Sequence, residues 1–295
     1  MIFARVGTTD TATYEMYPEC VPADSVLEQE FGERFNKFAL LAQRTSIKEL
    51  SGGLTNRNFL IETPADKYVA RVSSNSSDFL AIDRGSEFIN TTIAGEGGVG
   101  AEVLDYIPGE GLLLISYISG KTYGADDVAS NLPRIATSLR ALHSLKPFDH
   151  EFNMFNTQSN YFKIVKEQGF RVPDAYVDFE PMVAQIKKAF EPLFEGLVPC
   201  NNDLLPGNFI DDGKKIWLID YEYSGNNDAC FEIGNVWAEA FLPIEALEEL
   251  VTAYFGSHRP DKVARAWLWA LMAKYGWTLW ASIQDSVSEI EFDFW

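Results

Sequence analysis

The sequence predicts an α+β fold in two lobes, a β-rich first part of about 120 residues and a helix-rich remainder. Short apolar runs broken by Gly, Pro and Asp turns fill residues 46–120. Beyond Gly120 the texture changes to long amphipathic stretches such as NLPRIATSLRALHSL and DFEPMVAQIKKAFEPLFEG. A length of 295 residues with 46% hydrophobic content supplies enough apolar material for one large or two modest domains with a well-buried core. The lobes are accordingly expected at 1–119 and 120–295.

Taken in order, a polar lead-in precedes SVLEQEFGERFNKFALLAQ (25–43), where Val26, Leu27, Phe31, Phe35 and Phe38 recur near helical spacing. SIKELSGGLTNRNFLIETPADKYVARVSS reads as strand, glycine turn, strand, turn, strand, with apolar runs at 59–61 and 68–72. FLAIDRGSEFINTTIAGEGG (79–98) is helical in pattern up to Gly95. AEVLDYIPGEGLLLISYISG (101–120) adds two strands joined by a Pro-Gly-Glu-Gly turn. In the second part, the short apolar pieces NFI and IWLIDY interrupt the helices. AWLWALMAKYGWTLWASI (266–283) carries Lys274 and Gly276 and reads as a buried helix, not a membrane span.

Charge narrows the function classes. There are 43 acidic against 24 basic residues, a net charge of -19 spread along the whole chain. Phosphate binding by clustered Lys and Arg is absent from such a pattern, which argues against nucleic acid and anionic membranes as partners. A cationic small molecule is permitted by the field without being indicated by it. Cys20, Cys200 and Cys230 are far apart, with no Cys-x-x-Cys pair, so neither a disulfide framework nor a zinc site is expected and a reducing cytoplasm fits. MIFARVGTTDTATYEMYPEC lacks the pattern of a signal peptide.

The chemistry concentrates in PCNNDLLPGNFIDDGKKIWLIDYEYSG. Asp203 stands five residues ahead of Asn208, and Pro206 and Gly207 stiffen the loop between them. A DDGKK turn then folds strand 216–219 back beside strand 208–210, returning Asp220 to the end that holds Asp203 and Asn208. Asn and Asp oxygens completed by phosphate suit Mg²⁺, and the remaining Asp could orient a hydroxyl and accept its proton. Asp-x4-Asn alone is a weak signal, because Asp in loops is usually a turn former. Asp220 at the end of an apolar strand raises the odds.

Two further features join it. The paired glycines of SGGLTNRNF (51–59) would let backbone N–H groups approach an anion, although a plain glycine hairpin reads the same way. Arg71 lies mid-strand in YVARV, and Glu87 in IDRGSEF is the acid that could fix it toward a nucleotide's phosphates. The histidines point nowhere specific: His143 fits an amphipathic helix, while His150 and His258 lie in polar loops.

In order, SGGLTNRNF, the strand arginine, the helix glutamate, NNDLLPGN, LIDYEYSGNN, FEIGN and WTLWASIQ…SEIEFDF resemble the choline/ethanolamine kinase family, within the aminoglycoside-phosphotransferase and protein-kinase-like fold. The likeness covers residues 48–295. It implies a bilobal protein-kinase-like fold, with a small antiparallel sheet and one main helix in the first lobe and a larger helical second lobe. It also implies ATP- and Mg²⁺-dependent phosphorylation of choline or a related amino alcohol. By that resemblance Asp203 is the base, Asn208 and Asp220 hold Mg²⁺, and Glu222 is an acid near the metal. Gly52, Gly53, Thr55 and Asn56 form the phosphate loop, Arg71 pairs with Glu87, and Ser116, Tyr117 and Ile118 read adenine by their backbone. Trp277 and Trp280, one helical turn apart, line the acceptor pocket with Glu239 as its acid, while Trp267 and Trp269 are expected in the core.

The chain departs from the family pattern at four places. Its usual Cys-His-Asn-Asp has Asn201 for histidine, its Phe-Asp-Ile-Gly-Asn has Glu232 for aspartate, and Ala240 and Phe294 stand where aromatic and tyrosine residues are common. An asparagine can make hydrogen bonds of the kind the histidine makes, at shorter reach.

Overall fold

In a computed structural model, which describes residues 25–73, 79–80, 82–193 and 195–295, the β-rich part is built on one antiparallel sheet. Cys20 and the polar lead-in lie outside the described residues. Helix α1 (Ser25–Phe35) precedes strands β1 (Ser46–Leu50), β2 (Asn56–Glu62) and β3 (Lys67–Ser73). Helix α2 (Arg84–Glu96) and strands β4 (Val103–Ile107) and β5 (Leu112–Ser116) complete it, with strand order β1-β2-β3-β5-β4. Period-two alternation buries Phe59 and Ile61 of β2 against α1, where the Phe31 and Phe59 rings lie 4.6 Å apart.

The first turn of α2 differs from the sequence expectation. The helix begins at Arg84, not near residue 79, because Asp83 caps it: the carboxylate accepts from the N–H groups of Gly85 and Ser86 at 2.8 and 3.0 Å. The apolar residues ahead of the cap imitate a helical period without belonging to it.

The second part contains β6 (Lys121–Thr122), α3 (Ala125–Ser130), α4 (Leu132–His143), α5 (Met154–Gln168) and α6 (Glu180–Phe190). Then follow β7 (Val198–Cys200), β8 (Phe209–Asp211), β9 (Ile216–Leu218), β10 (Gly225–Asn227), α7 (Ala229–Glu239), α8 (Ile244–Phe255) and α9 (Pro260–Val287). Strand β7 pairs with β10, and β8 pairs with both β6 and β9. A helical core encloses these short ladders, with Leu139, Phe209, Leu218, Phe231 and Leu250 fully buried. The fold is the bilobal protein-kinase-like α+β arrangement. No helix among the described residues is long and apolar enough to cross a membrane.

Helix α9 packs on α5 and α7. Trp269 is buried and stacks on Phe190 at 4.4 Å, but Trp267 is 43% exposed, so the expectation of two core tryptophans holds for one. Residues two apart on a helix point roughly 200° apart, so both cannot face the same core. The α7–α9 contact depends on Gly234, where a Cβ would stand 2.2 Å from the Ala266 carbonyl oxygen. Gly234→Ala is therefore expected to cost about 1–3 kcal/mol through overpacking. A thermal melt with unchanged Tm would show that the helices part easily.

Candidate active site

The loop between β7 and β8 is held by its own side chains. Asn201 and Asn202 are fully buried. The Asn201 amide donates to the carbonyls of Ile219 and Asp220 at 3.1 and 2.8 Å, and its oxygen accepts from Asp203 N–H at 3.1 Å. Asn202 takes the left-handed φ of +69°, which asparagine tolerates, and its amide donates to the Tyr223 carbonyl at 3.0 Å.

Beneath the loop, Glu232 accepts from the N–H groups of Asn201 and Asn202 at 2.9 and 3.0 Å, one on each carboxylate oxygen. His143 lies 3.3 Å from Glu232 Oε2 and 3.7 Å from Cys200 Sγ, with its Nδ1 2.7 Å from the Tyr254 hydroxyl. Three potential ligands of different elements thus gather in space although their sequence spacing gives no hint of it. With both Glu232 oxygens engaged by loop amides, the cluster works as a hydrogen-bonded brace.

The β8–β9 hairpin closes through Ile219 N–H on the Asn208 carbonyl at 3.0 Å, which sets Asp220 beside the loop. Asn208 Nδ2 donates to the Asp203 carbonyl at 2.7 Å, so its amide oxygen is turned the other way. Asp220 holds a φ of +64°, uncommon for a residue with a Cβ, and its Oδ1 is 2.8 Å from Arg71 Nη2. Asp203, Asn208 and Asp220 therefore meet at one end of the hairpin.

Across from them, Arg71 on β3 is ion-paired with Glu87 on α2, both buried. Arg84, which sequence reasoning missed, donates to Glu87 at 2.7 Å, to Glu222 at 3.2 Å and to Asn56 Oδ1 at 2.9 Å. Asn56 in turn donates to Glu222 at 2.8 Å. Asn56 is the first residue of β2 and its side chain is spent on this network, unlike a residue at the tip of a phosphate loop. Glu222 is accordingly occupied by partners from β2 and α2.

Two guanidiniums here face four carboxylates, those of Asp203, Asp220, Glu87 and Glu222. Burial works against the Arg71 charge, but Asp220, Glu87 and Glu222 outweigh it and hold its pKa up. Glu87 is held below the usual carboxylate range: burial opposes this, and Arg71 and Arg84 overcome it. Burial, then the charges of Asp220, Glu222 and Glu239, push Asp203 well above that range. Glu222 is pushed up to about 7 by burial and by Asp220. The excess negative charge is what a divalent cation would balance, and Asn208 and Asp220 offer it hard oxygen donors.

The glycine turn and the strand end narrow the remaining expectations. Gly52 takes a φ of +94°, and a Cβ on Gly53 would meet the Asn56 carbonyl oxygen at 2.2 Å, so the turn needs both glycines. Thr55 is buried. Gln284 of α9 donates to the Leu54 carbonyl at 2.7 Å and fastens this turn to the helical part. At the end of β5, Ser116 N–H donates to Glu102 and Tyr117 N–H to Lys67, at 2.9 and 3.4 Å. Of the three residues expected to read adenine, these two have donors already in use.

Aromatic rings gather on the helical side. Trp280 Nε1 donates to the Tyr223 hydroxyl at 2.8 Å, the Trp277 ring lies edge-on to Tyr223 at 5.1 Å, and Phe294 packs against Trp280 at 5.7 Å. Tyr223 links them to the loop through the Asn202 bond to its carbonyl. Glu239, at the end of α7, bears on Asp203 through its charge and accepts from Lys274 at 2.7 Å. Neither Tyr223 nor Lys274 is given a site role by the sequence. A tyrosine immediately after Glu222 in YEYSG was the available signal for the first.

Residues 47–249 match the family model described as choline/ethanolamine kinase. The protein LicA of Haemophilus influenzae is 28% identical over 210 residues, covering 69% of this chain and 61% of LicA, so the chain spans about three fifths of that relative. Ethanolamine kinase 2 of Mus musculus is 26% identical over 291 residues, covering 85% of this chain and 73% of the relative. A solved choline/ethanolamine kinase family protein from Mesorhizobium loti gives a TM-score of 0.79 at 28% identity, over 91% of this chain and 90% of that one. An ADP-bound aminoglycoside phosphotransferase shares the fold at a TM-score of 0.60 and 15% identity, over 81% of this chain and 86% of that one.

Proposed function

As the chain belongs to the choline/ethanolamine kinase family, we propose that it transfers the γ-phosphoryl group of ATP to the hydroxyl of a small amino alcohol, choline or a relative. One observation carries this reading: the loop and hairpin that gather Asp203, Asn208 and Asp220 connect through Tyr223 to an aromatic group, and the Glu239 carboxylate lies near enough for its charge to bear on Asp203. A proton acceptor and metal donors thereby stand beside surfaces suited to an ammonium ion.

In this reading Asp203 orients the acceptor hydroxyl and takes its proton as the oxygen bonds to the γ-phosphorus. The bond from that phosphorus to the β–γ bridging oxygen breaks, and ADP leaves with the electron pair. Asn208 and Asp220 would hold Mg²⁺, which supplies charge neutralisation on the phosphates. Arg71, fixed by Glu87, faces the phosphates, and the turn at Gly52 and Gly53 covers them. Ile118 offers the remaining strand-end N–H to adenine. Glu222 acts through Asn56 and Arg84, tying the sheet to the metal side. We place the nucleotide-binding lobe at 1–119 and the acceptor lobe at 120–295, with the soluble cytoplasm as the working compartment.

An acceptor panel tests the reading. With Mg-ATP, phosphorylation of choline or ethanolamine is expected, and none once the metal is chelated. Phosphorylation confined to aminoglycosides or sugars would overturn the acceptor. Thermal stabilisation by choline without any phosphorylated product would overturn the transfer.

A further inference from the structure

Lys274 on α9 has surroundings unusual for a surface lysine. Its ammonium donates to Glu239 Oε1 at 2.7 Å and lies 5.0 Å from the centre of the Phe241 ring. A carboxylate on one side and an aromatic face on the other is the environment that holds an ammonium ligand. Glu239 is largely buried at 15% exposure, whereas Lys274 is reached by solvent at 43%. Phe241 takes a left-handed φ of +52° and is 86% exposed, one residue beyond Ala240. Lys274 also precedes Trp277 by one turn of α9, so the two residues share a face of that helix.

We infer that Lys274 is a specificity-determining residue: its ammonium occupies Glu239 as an internal counterpart of the acceptor's cation and must be displaced when the acceptor binds. The inference rests on the reading above, in which Glu239 faces the acceptor's charged nitrogen. A trimethylammonium group cannot donate a hydrogen bond, so it competes poorly with a lysine that donates at 2.7 Å. A primary ammonium replaces that bond with its own. The lysine therefore penalises quaternary acceptors more than primary ones. Displacement is feasible because solvent reaches Lys274 and the acceptor's cation replaces its charge on Glu239.

Steady-state kinetics with choline and ethanolamine on the full chain test this. Lys274→Met is expected to lower KM for choline by about two- to fivefold, the range such a pair can contribute. KM for ethanolamine should fall less, and kcat should move less than KM. Lys274→Arg, which keeps a cation and can still donate, is expected to hold the original preference. A choline KM that is unchanged or raised in Lys274→Met, in a protein with unaltered Tm, overturns the inference. Glu239→Gln separates the two layers: a raised KM for both acceptors upholds Glu239 as the acceptor's acid whatever Lys274 does. Unchanged KM for both overturns that reading, and the inference with it.

Discussion

Asp203→Ala is expected to lower turnover by about 10²- to 10⁴-fold, the usual contribution of a positioned general base, while nucleotide affinity stays within a few-fold. The selectivity follows from how the loop is built. Asn208 is held by the main-chain carbonyl of residue 203 and Asn201 by its N–H, so truncating the carboxylate leaves both loop contacts in place. Arg71, which faces the nucleotide in the proposed site, pairs with Glu87 and with Asp220, not with Asp203. Removing the Asp203 carboxylate also relieves the repulsion it shares with Asp220 and Glu222. Measured kcat with calorimetric ATP affinity separates the terms. Turnover within tenfold of the unmodified protein would deny Asp203 its role.

Local patterns carried much of the architecture. Turn residues and period-two alternation located the strands of the sheet, and the DDGKK turn implied that Asp220 returns to the loop. What escaped was set by contacts distant in sequence. Arg84 pairs locally with Glu87 at i,i+3, but its other partners, Glu222 after β9 and Asn56 on β2, lie on segments that no spacing rule connects to it. Likewise, 35 positions separate Lys274 from Glu239. Asn56 belonged to a glycine-rich motif, yet once in the strand its side chain served to join lobes. The start of α2 was misplaced because an apolar approach resembles a helix until the capping aspartate is recognised.

Asn201 carries the second large effect. Asn201→Ala is expected to reduce kcat by about 10- to 100-fold, since each buried polar group left unpaired costs about 1–3 kcal/mol. Three such groups depend on this one amide: the carbonyls of Ile219 and Asp220 and the N–H of Asp203. The side chain therefore sets the spacing between the backbone of Asp203 and that of Asp220, the proposed base and metal ligand. Asp220 feels its loss most, because a φ of +64° persists only while neighbouring bonds enforce it. Relaxation there should raise the Mg²⁺ concentration needed for half-maximal rate, a change that mere loss of folded protein would not produce. Asn201→Asp should be worse than alanine, as it keeps the shape but exchanges the donor for another anion in a cluster already rich in carboxylates. Asn201→His should recover part of the rate by restoring a ring N–H donor, within the limit of a fully buried position. Full activity of Asn201→Ala at an unchanged Mg²⁺ requirement would show that the loop keeps its geometry through Glu232 and Asn202 alone.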